Sequence, residues 1–495
     1  MTDQLRGRSG AECGRRATSL GKALRSAAII AVVASSGGIL ARLPGDAATS
    51  SVATARPNIL WVTTEDMSPD LHCFGNAAVK SPHLDALAAQ GQKFSRAFSS
   101  APVCSASRSS IITGMYATTL GTQNHRSHVD LPEGIRCFTA YLREAGYYCT
   151  NNSKTDYNFN VPADAWDENS KTAHWRNRPR PDQPFFSVFN FLTTHESKFQ
   201  INEKAFARVT SDLRPQDRAT TEAVKLPPYI PDTAITRHDW ARYYDMIAEM
   251  DIQAGRLLDE LEKDGLATNT IVMFYSDHGV GLPRGKRWLY DSGTRVPLIV
   301  RWPGHIKPGS ESGELVSLLD LAPTVLSLAG LPSPATLQGR TFMGPEKQPE
   351  PQYLFQTRDR MDETYDAMRS VRGRQFRYIK NFYPEKPYDL VVKYAEKTPT
   401  LQELRRLHGE GKLVWPQTWF FQKRKPAEEL YDTKADPWEI RNLAADPAYA
   451  SQLGSMRRAL ELWELTTNDK GLHPDQNSFH QPEKQKKRKA KRQDD

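Results

Sequence analysis

The most chemically suggestive stretch of the sequence is a cysteine among small hydroxyl residues with an arginine four positions on: Val103-Cys104-Ser105-Ala106-Ser107-Arg108-Ser109-Ser110-Ile111. Ile111, Ile112 and Met115 follow at helical spacing, which predicts that Cys104 stands at or just before a helix N-terminus. Free backbone N–H groups and the helix dipole favour an anion there. Arg108 falls one turn along the same face and can aim its planar fork at that anion. The competing reading is a packing cysteine beside a structural salt bridge.

The ends of the predicted strands favour the first reading. Asn58–Thr64, Tyr147–Asn151, Phe185–Leu192 and Thr270–Tyr275 are apolar, β-branched and aromatic runs of the kind that form buried parallel strands. Just past them come Glu65 and Asp66, then Lys154 and Asp156, then His195, then Asp277 and His278, with Lys286 and Arg287 in a following loop. In open α/β sheets, ligands bind beyond the carboxyl ends of the strands. Carboxylates gathered there raise one another's pKa unless a cation compensates them. Oxygen ligands suit Ca²⁺ or Mg²⁺, while His278 leaves Mn²⁺ and Zn²⁺ open. A dication ringed by Arg108, Lys154, His195 and Lys286 is suited to holding a tetrahedral oxyanion and stabilising its transition state. His125 and His128, in Gly121–His128, are expected at the pocket mouth.

Elements that could carry these residues alternate in type. Helical spacing runs over 81–94 (Leu84, Leu87, Ala88), 139–146, 236–264 and 315–328, and Val296–Val300 reads as a further strand that Pro297 makes peripheral. Asp251 lies on the apolar stripe of the long helix and is expected to be a buried, paired structural aspartate. Strands alternating with helices predict an α/β fold, a mostly parallel sheet sandwiched by helices. From residue 365 the texture changes to Arg/Tyr-rich short strands (368–382), a polar helix (400–408) and a last helix (450–465), a smaller C-terminal α+β domain. The expected division is 1–55 export segment, 56–364 catalytic domain, 365–470 C-terminal subdomain and 471–495 basic disordered tail.

The chain has 495 residues and a formal charge of +8. Seven of its basic residues lie in Lys484–Arg492, so the body is close to neutral and is not a nucleic-acid binder. Five cysteines, at 13, 73, 104, 137 and 149, are too few and too irregular for a disulfide framework. Arg15-Arg16, the short apolar run 27–33 and small residues at Ala53-Thr54-Ala55 read as an export signal, too short for a stable membrane span. The mature protein is therefore expected to be secreted or periplasmic.

Cys104-Ser105-Ala106-Ser107-Arg108 resembles the signature of the type I sulfatases, Cys-x-Pro/Ala-x-Arg. The resemblance extends to the acidic pair at 65–66, to Lys154, to Ser276-Asp277-His278-Gly279, and to Asp436-Pro437-Trp438-Glu439 near the end. Within the family, the segments 227–233 and 282–290 are most similar to heparan N-sulfatase and its bacterial relatives. The resemblance implies an alkaline-phosphatase-like fold and hydrolysis of sulfate esters or sulfamates of sulfated saccharides, N-sulfoglucosamine included. It implies that a maturation enzyme converts Cys104 to formylglycine, whose hydrated form offers an oxygen nucleophile. It also implies a metal, Ca²⁺ before Mg²⁺ or Mn²⁺, held by Glu65, Asp66, residue 104, Asp277 and His278. Arg108 would steady the nucleophile, Lys154 and Lys286 would bind sulfate oxygens, and His195 would protonate the leaving group. Glu65 replaces the usual Asp, and Asp156 stands where many members have a histidine. Asp156 then serves either substrate recognition or Lys154. The alternatives are a phosphomonoesterase or phosphodiesterase of the same superfamily, which the cysteine signature disfavours, and a sulfated-glycan-binding protein without catalysis.

Overall fold

The computed structural model describes residues 56–472; the export segment and the basic run Lys484–Arg492 lie outside them. The larger sheet has nine strands: β1 Asn58–Thr64, β2 Gln92–Phe98, β3 Tyr148–Asn152, β4 Glu168–Asn169, β5 Phe185–Phe191, β6 Thr270–Ser276, β7 Arg295–Val296, β8 Leu298–Arg301 and β9 Ser310–Ser317. Their order is β4-β3-β5-β1-β6-β8-β2-β7, with β9 on β2. Pairings from β4 through β6 are parallel, and β8 lies antiparallel to both β6 and β2.

β1 shows why the sheet sits at the centre. Leu60 and Val62 enter one core with the helices Pro82–Gln90 and Ala234–Lys263. Ile59 and Trp61 enter the other, with the helices Cys104–Thr113, Phe138–Glu144 and Leu321–Leu328. A strand buried on both faces favours apolar residues at successive positions, as Ile59–Val62 shows, with the polar Asn58, Thr63 and Thr64 at its ends.

Three sequence expectations change. The helix read over 81–94 stops at Gln90, and β2 follows it. β2 carries mixed polar residues, and its ladder depends on strands some two hundred residues away. Leu315–Ser317, read as helix, finish β9 before the helix begins at Leu321. Pro297 is not at the periphery: β8 lies inside the sheet, and Pro297 falls in the break between β7 and β8, where its missing N–H interrupts no ladder. Asp251 is buried as expected, but it pairs with backbone, accepting from the N–H groups of His83 (3.1 Å) and Leu84 (2.8 Å). It thereby satisfies free donors in the first turn of the helix Pro82–Gln90.

The smaller sheet, β10 Leu354–Arg358, β11 Met368–Arg372, β12 Phe376–Asn381 and β13 Glu428–Asp432, is antiparallel and begins upstream of residue 365. One face packs on the helix Ala450–Thr467, and the other on Trp288, Leu289 and Tyr290. The small sheet thus buttresses the loop that carries Lys286 and Arg287. Among the described residues no helix is long and apolar enough to cross a membrane.

Candidate active site

β1, β5 and β6 are neighbours, with Thr64 opposite both Phe191 and Ser276. Their carboxyl ends therefore release Glu65-Asp66, His195-Glu196 and Asp277-His278 side by side. The crossing chains are pinned together: Asp277 N–H donates to Thr64 O and Met67 N–H to His278 O, each at 3.1 Å. Asp66 takes a positive φ of 49°, and its carboxylate accepts from Glu196 N–H at 2.7 Å. The chain also passes very close at Gly281, where a Cβ would lie 2.7 Å from Cβ of Glu196 and 3.0 Å from Asp66 Oδ2.

Cys104 is the first residue of its helix, after an extended Val103, and it is buried. Its Sγ lies 3.3 Å from His278 Nε2 and 3.9 Å from Asp66 Oδ1. The helix is fixed to the sheet end by Ser107, whose hydroxyl donates to Asp277 O at 2.6 Å. One turn on, Arg108 donates from Nε to Asp277 Oδ2 (3.1 Å), from Nη1 to Asn190 Oδ1 (2.8 Å) and from Nη2 to Glu65 Oε1 (3.3 Å). Lys154 also donates to Glu65 Oε1. Lys286 Nζ lies 3.0 Å from both oxygens of Asp66 and 2.9 Å from Glu196 Oε1. The cysteine thus lies within the field of two lysines, with Arg108 one turn along its helix.

This charge distribution sets the proton affinities. Burial pushes the Cys104 thiol up, but Lys286 and Lys154 outweigh it and hold the thiol below its usual value. Burial also opposes ionisation of Asp66 and Asp277. Lys286, His195 and His278 nevertheless hold Asp66 well below the usual carboxylate range, and His278 and Arg108 lower Asp277. On His195, burial and Lys286 oppose the proton, while Asp66, Cys104 and Glu65 outweigh them and raise the pKa. His195 Nδ1 accepts from Ser197 N–H at 3.2 Å, which assigns the neutral ring's proton to Nε2.

The donor set fits a divalent cation. Ligand atoms of Asp66, Cys104 and His195 lie within 4.8 Å of one another, as do those of Cys104, Asp277 and His278. His278 Nε2 stands 3.1 Å from Asp66 Oδ1 and 3.6 Å from Asp277 Oδ1. Its Nδ1 is 3.0 Å from Gly279 O, the outer-shell contact that directs the lone pair of Nε2 inward. Burial disfavours a charged His278, yet Asp277, Cys104 and Asp66 together raise its pKa well above the usual value. A proton on that ring and a cation in the cluster answer the same negative charge.

Four of the expected residues take the following places, and two of them, Glu65 and His125, differ from the expectation. Glu65 is not brought into the ligand cluster: its Oε1 serves Arg108 and Lys154. His125 is buried, not at a mouth, with Nδ1 2.8 Å from Ser105 Oγ; burial, Lys286 and Arg287 hold its pKa well below the usual value, so it is neutral. His128 is half-buried in the same loop. Asp156 Oδ2 is 3.7 Å from Lys154 Nζ, close enough to orient that lysine.

Other residues of the site escaped the sequence reading. Asn190 braces Arg108 and also accepts from Thr63 Oγ1 at 3.0 Å; it sits inside β5, where an apolar run hides it. Glu196 forms a two-point pair with Arg287, 2.8 Å at each contact. Its position beside His195 past a strand end was the available signal.

Residues 57–331 match the family model "Sulfatase", and residues 283–407 match "N-sulphoglucosamine sulphohydrolase, C-terminal". An ulvan-active sulfatase from Formosa agariphila is 40% identical over 88% of this chain and 79% of its own. Human N-sulphoglucosamine sulphohydrolase is 31% identical, over 84% of this chain and 91% of its own. A protein solved in complex with its substrate D-glucosamine-2-N,6-O-disulfate shares the fold, with a TM-score of 0.61, 18% identity and coverage of 84% and 98%.

Proposed function

The chain belongs to the sulfatase family, and we propose that it releases sulfate from a sulfated saccharide, as a sulfate ester or as the sulfamate of an N-sulfated glucosamine. The observation that carries this reading is Cys104 at a buried helix start, beside Asp66 and His278 and under the charge of Lys154 and Lys286. The likeness to an ulvan-active sulfatase and to N-sulphoglucosamine sulphohydrolase supports a carbohydrate substrate.

In this reading Cys104 is the precursor of formylglycine, supplied by a maturation enzyme. Hydrated formylglycine supplies an oxygen nucleophile and a second hydroxyl through which sulfate can be released. Asp66, Asp277, His278 and residue 104 hold one divalent ion, Ca²⁺ by preference for the carboxylates, which supplies Lewis acidity toward sulfate oxygens. Glu65 serves as counter-charge to Arg108 and Lys154.

The remaining residues divide the work. Lys154 and Lys286 bind sulfate oxygens and stabilise the charge that builds on them. Arg108, braced by Asp277 and Asn190, orients the nucleophile. His195, with its proton on Nε2, donates to the departing sugar oxygen or nitrogen. Burial of Cys104, His278 and Lys286 keeps bulk water from the sulfur centre and strengthens each of these interactions. The N-terminal segment 1–55 supports export, to the periplasm or beyond.

The test is free sulfate released from defined saccharides, O-sulfated and N-sulfated, together with the mass of the peptide carrying residue 104. Sulfate release with an aldehyde at position 104 is expected. An unmodified thiol in fully active protein would sink the formylglycine assignment. Turnover of phosphate esters in preference to every sulfate would favour the phosphoesterase alternative.

A further inference from the structure

We propose that Arg126 and Tyr394 form a subsite for an anionic group on the sugar next to the one bearing the scissile sulfate. This rests on the sulfatase reading of the adjoining site. The loop Asn124-His125-Arg126 is tied to the C-terminal part of the chain at several points. His125 N–H donates to Arg360 O at 2.9 Å, Arg360 N–H to Asn124 Oδ1 at 3.2 Å, and Arg360 Nη2 to His125 O at 2.9 Å. Arg126 N–H reaches Ser105 Oγ, beside Cys104, at 3.4 Å. Arg126 itself is held at a φ of 56°. Its backbone is therefore fixed relative to the reacting residue, while its side chain is 59% exposed.

The guanidinium stands 5.7 Å from the centre of the Tyr394 ring, and that ring is 6.5 Å from the imidazole of His195. In the proposed reading His195 faces the leaving group, and the Tyr394 ring and then Arg126 stand next in order from it. An aromatic face offers apolar surface to the carbon-bound hydrogens of a sugar, and an arginine fork matches a carboxylate or sulfate at two points.

The charges around Arg126 leave that fork available. Asp362 Oδ1 is its nearest carboxylate oxygen, 3.6 Å from Nε. That carboxylate is shared with His125 at 3.7 Å and with Arg287 at 3.9 Å. Arg287 is in turn committed to Glu196, and Glu363 accepts from Lys393 N–H at 2.7 Å. Among the described residues neither Nη atom of Arg126 makes a hydrogen bond. The result is an oriented, solvent-facing cation with two unused donor groups beside an aromatic platform. A uronate carboxylate and a second sulfate ester share the required chemistry.

The experiment compares kcat/KM on four substrates: a neutral aryl sulfate, a sulfated monosaccharide without another anion, a disaccharide with a neighbouring uronate, and one with a neighbouring sulfate ester. Wild type, Arg126→Ala, Arg126→Lys and Tyr394→Ala are measured, and calorimetric binding of the same saccharides is recorded in parallel. In Arg126→Ala the preference for an anionic disaccharide over the aryl sulfate is expected to fall at least tenfold, mainly through KM, with Arg126→Lys restoring part of it. The disaccharide that suffers most identifies which anion is read. A preference unchanged within twofold in Arg126→Ala, by turnover and by binding, would overturn the subsite. Failure of wild type to release sulfate from any substrate would instead overturn the sulfatase reading, and the binding comparison would still judge the subsite.

Discussion

Arg108 Nε and Asp277 Oδ2 lie 3.1 Å apart, joining two residues separated by 169 positions in the chain. The arginine is four residues after Cys104, and the aspartate is one of the carboxylates that surround its sulfur. The contact ties the arginine of the cysteine motif to the end of β6, joining the Cys104 helix to the strand end that offers Asp277 and His278. Disturbing either partner is therefore expected to alter metal binding and chemistry together.

Asp277→Asn tests this coupling. Losing the negative charge weakens the Arg108 contact and the cluster around His278 together, since the carboxamide keeps only one of the two oxygens that serve them. Metal content, measured by mass spectrometry on purified protein, and sulfate release are expected to fall in parallel. Full metal occupancy in an inactive variant would assign Asp277 to orienting Arg108 alone.

Cys104→Ala removes the residue from which, in the proposed reading, the oxygen nucleophile is made. Turnover is expected to drop by on the order of 10⁴-fold or more, in line with the loss of other catalytic nucleophiles. The fold should survive, because deleting one buried side-chain heavy atom costs about 1 kcal/mol. Sulfate release and thermal unfolding measured on the same preparation separate the two effects.

Arg287→Ala probes the buried pair beneath the site. Its guanidinium meets Glu196 at two points, and Lys286 is the other cation on that carboxylate. Removing Arg287 leaves Glu196 partly uncompensated, and unfolding in urea is expected to show a loss of about 3 kcal/mol. Lys286 should also be drawn toward Glu196, away from the sulfate contact proposed for it, so KM is expected to rise. A variant with unchanged stability and KM would show that Lys286 alone satisfies Glu196.

Asp251 gives stability a pH dependence away from the site. Burial pushes its carboxyl up to about 7, against the lowering effect of the two backbone N–H groups it accepts from. The folded state binds this proton more tightly than the unfolded chain does. Its stabilising contribution is therefore complete below the unfolded value of 3.8 and is lost as pH rises through about 7. Asp251→Asn stays neutral throughout. The variant's melting temperature is expected to overtake that of wild type progressively between pH 4 and pH 7, and parallel melting curves across that window would refute the assignment.

Much of the site was legible in the chain because local chemistry and strand grammar coincide. The run Asn58–Thr64 had to be a strand buried on both faces, so Glu65 and Asp66 had to emerge at its carboxyl end, and the same reasoning held for Asp277, His278 and His195. Cys104 at a helix start with Arg108 one turn on follows from spacing alone. β2 was not legible, because its mixed residues become a strand only through partners distant in sequence. For the same reason Pro297 suggested a sheet edge, although β8 lies in the interior.

What the sequence determined by itself was the set of reactive groups and their order along the chain, since period, capping and strand-end position are properties of short segments. The division of labour among those groups was decided by the tertiary structure. Only the crossing of β1, β5, β6 and the cysteine helix turns Glu65 toward Arg108 and Lys154, buries His125 behind Ser105, and brings Glu196 and Arg287 beneath Lys286. These outcomes depend on which opposite charge lies nearest in space. Electrostatic energy falls with distance through the fold and takes no account of separation along the chain.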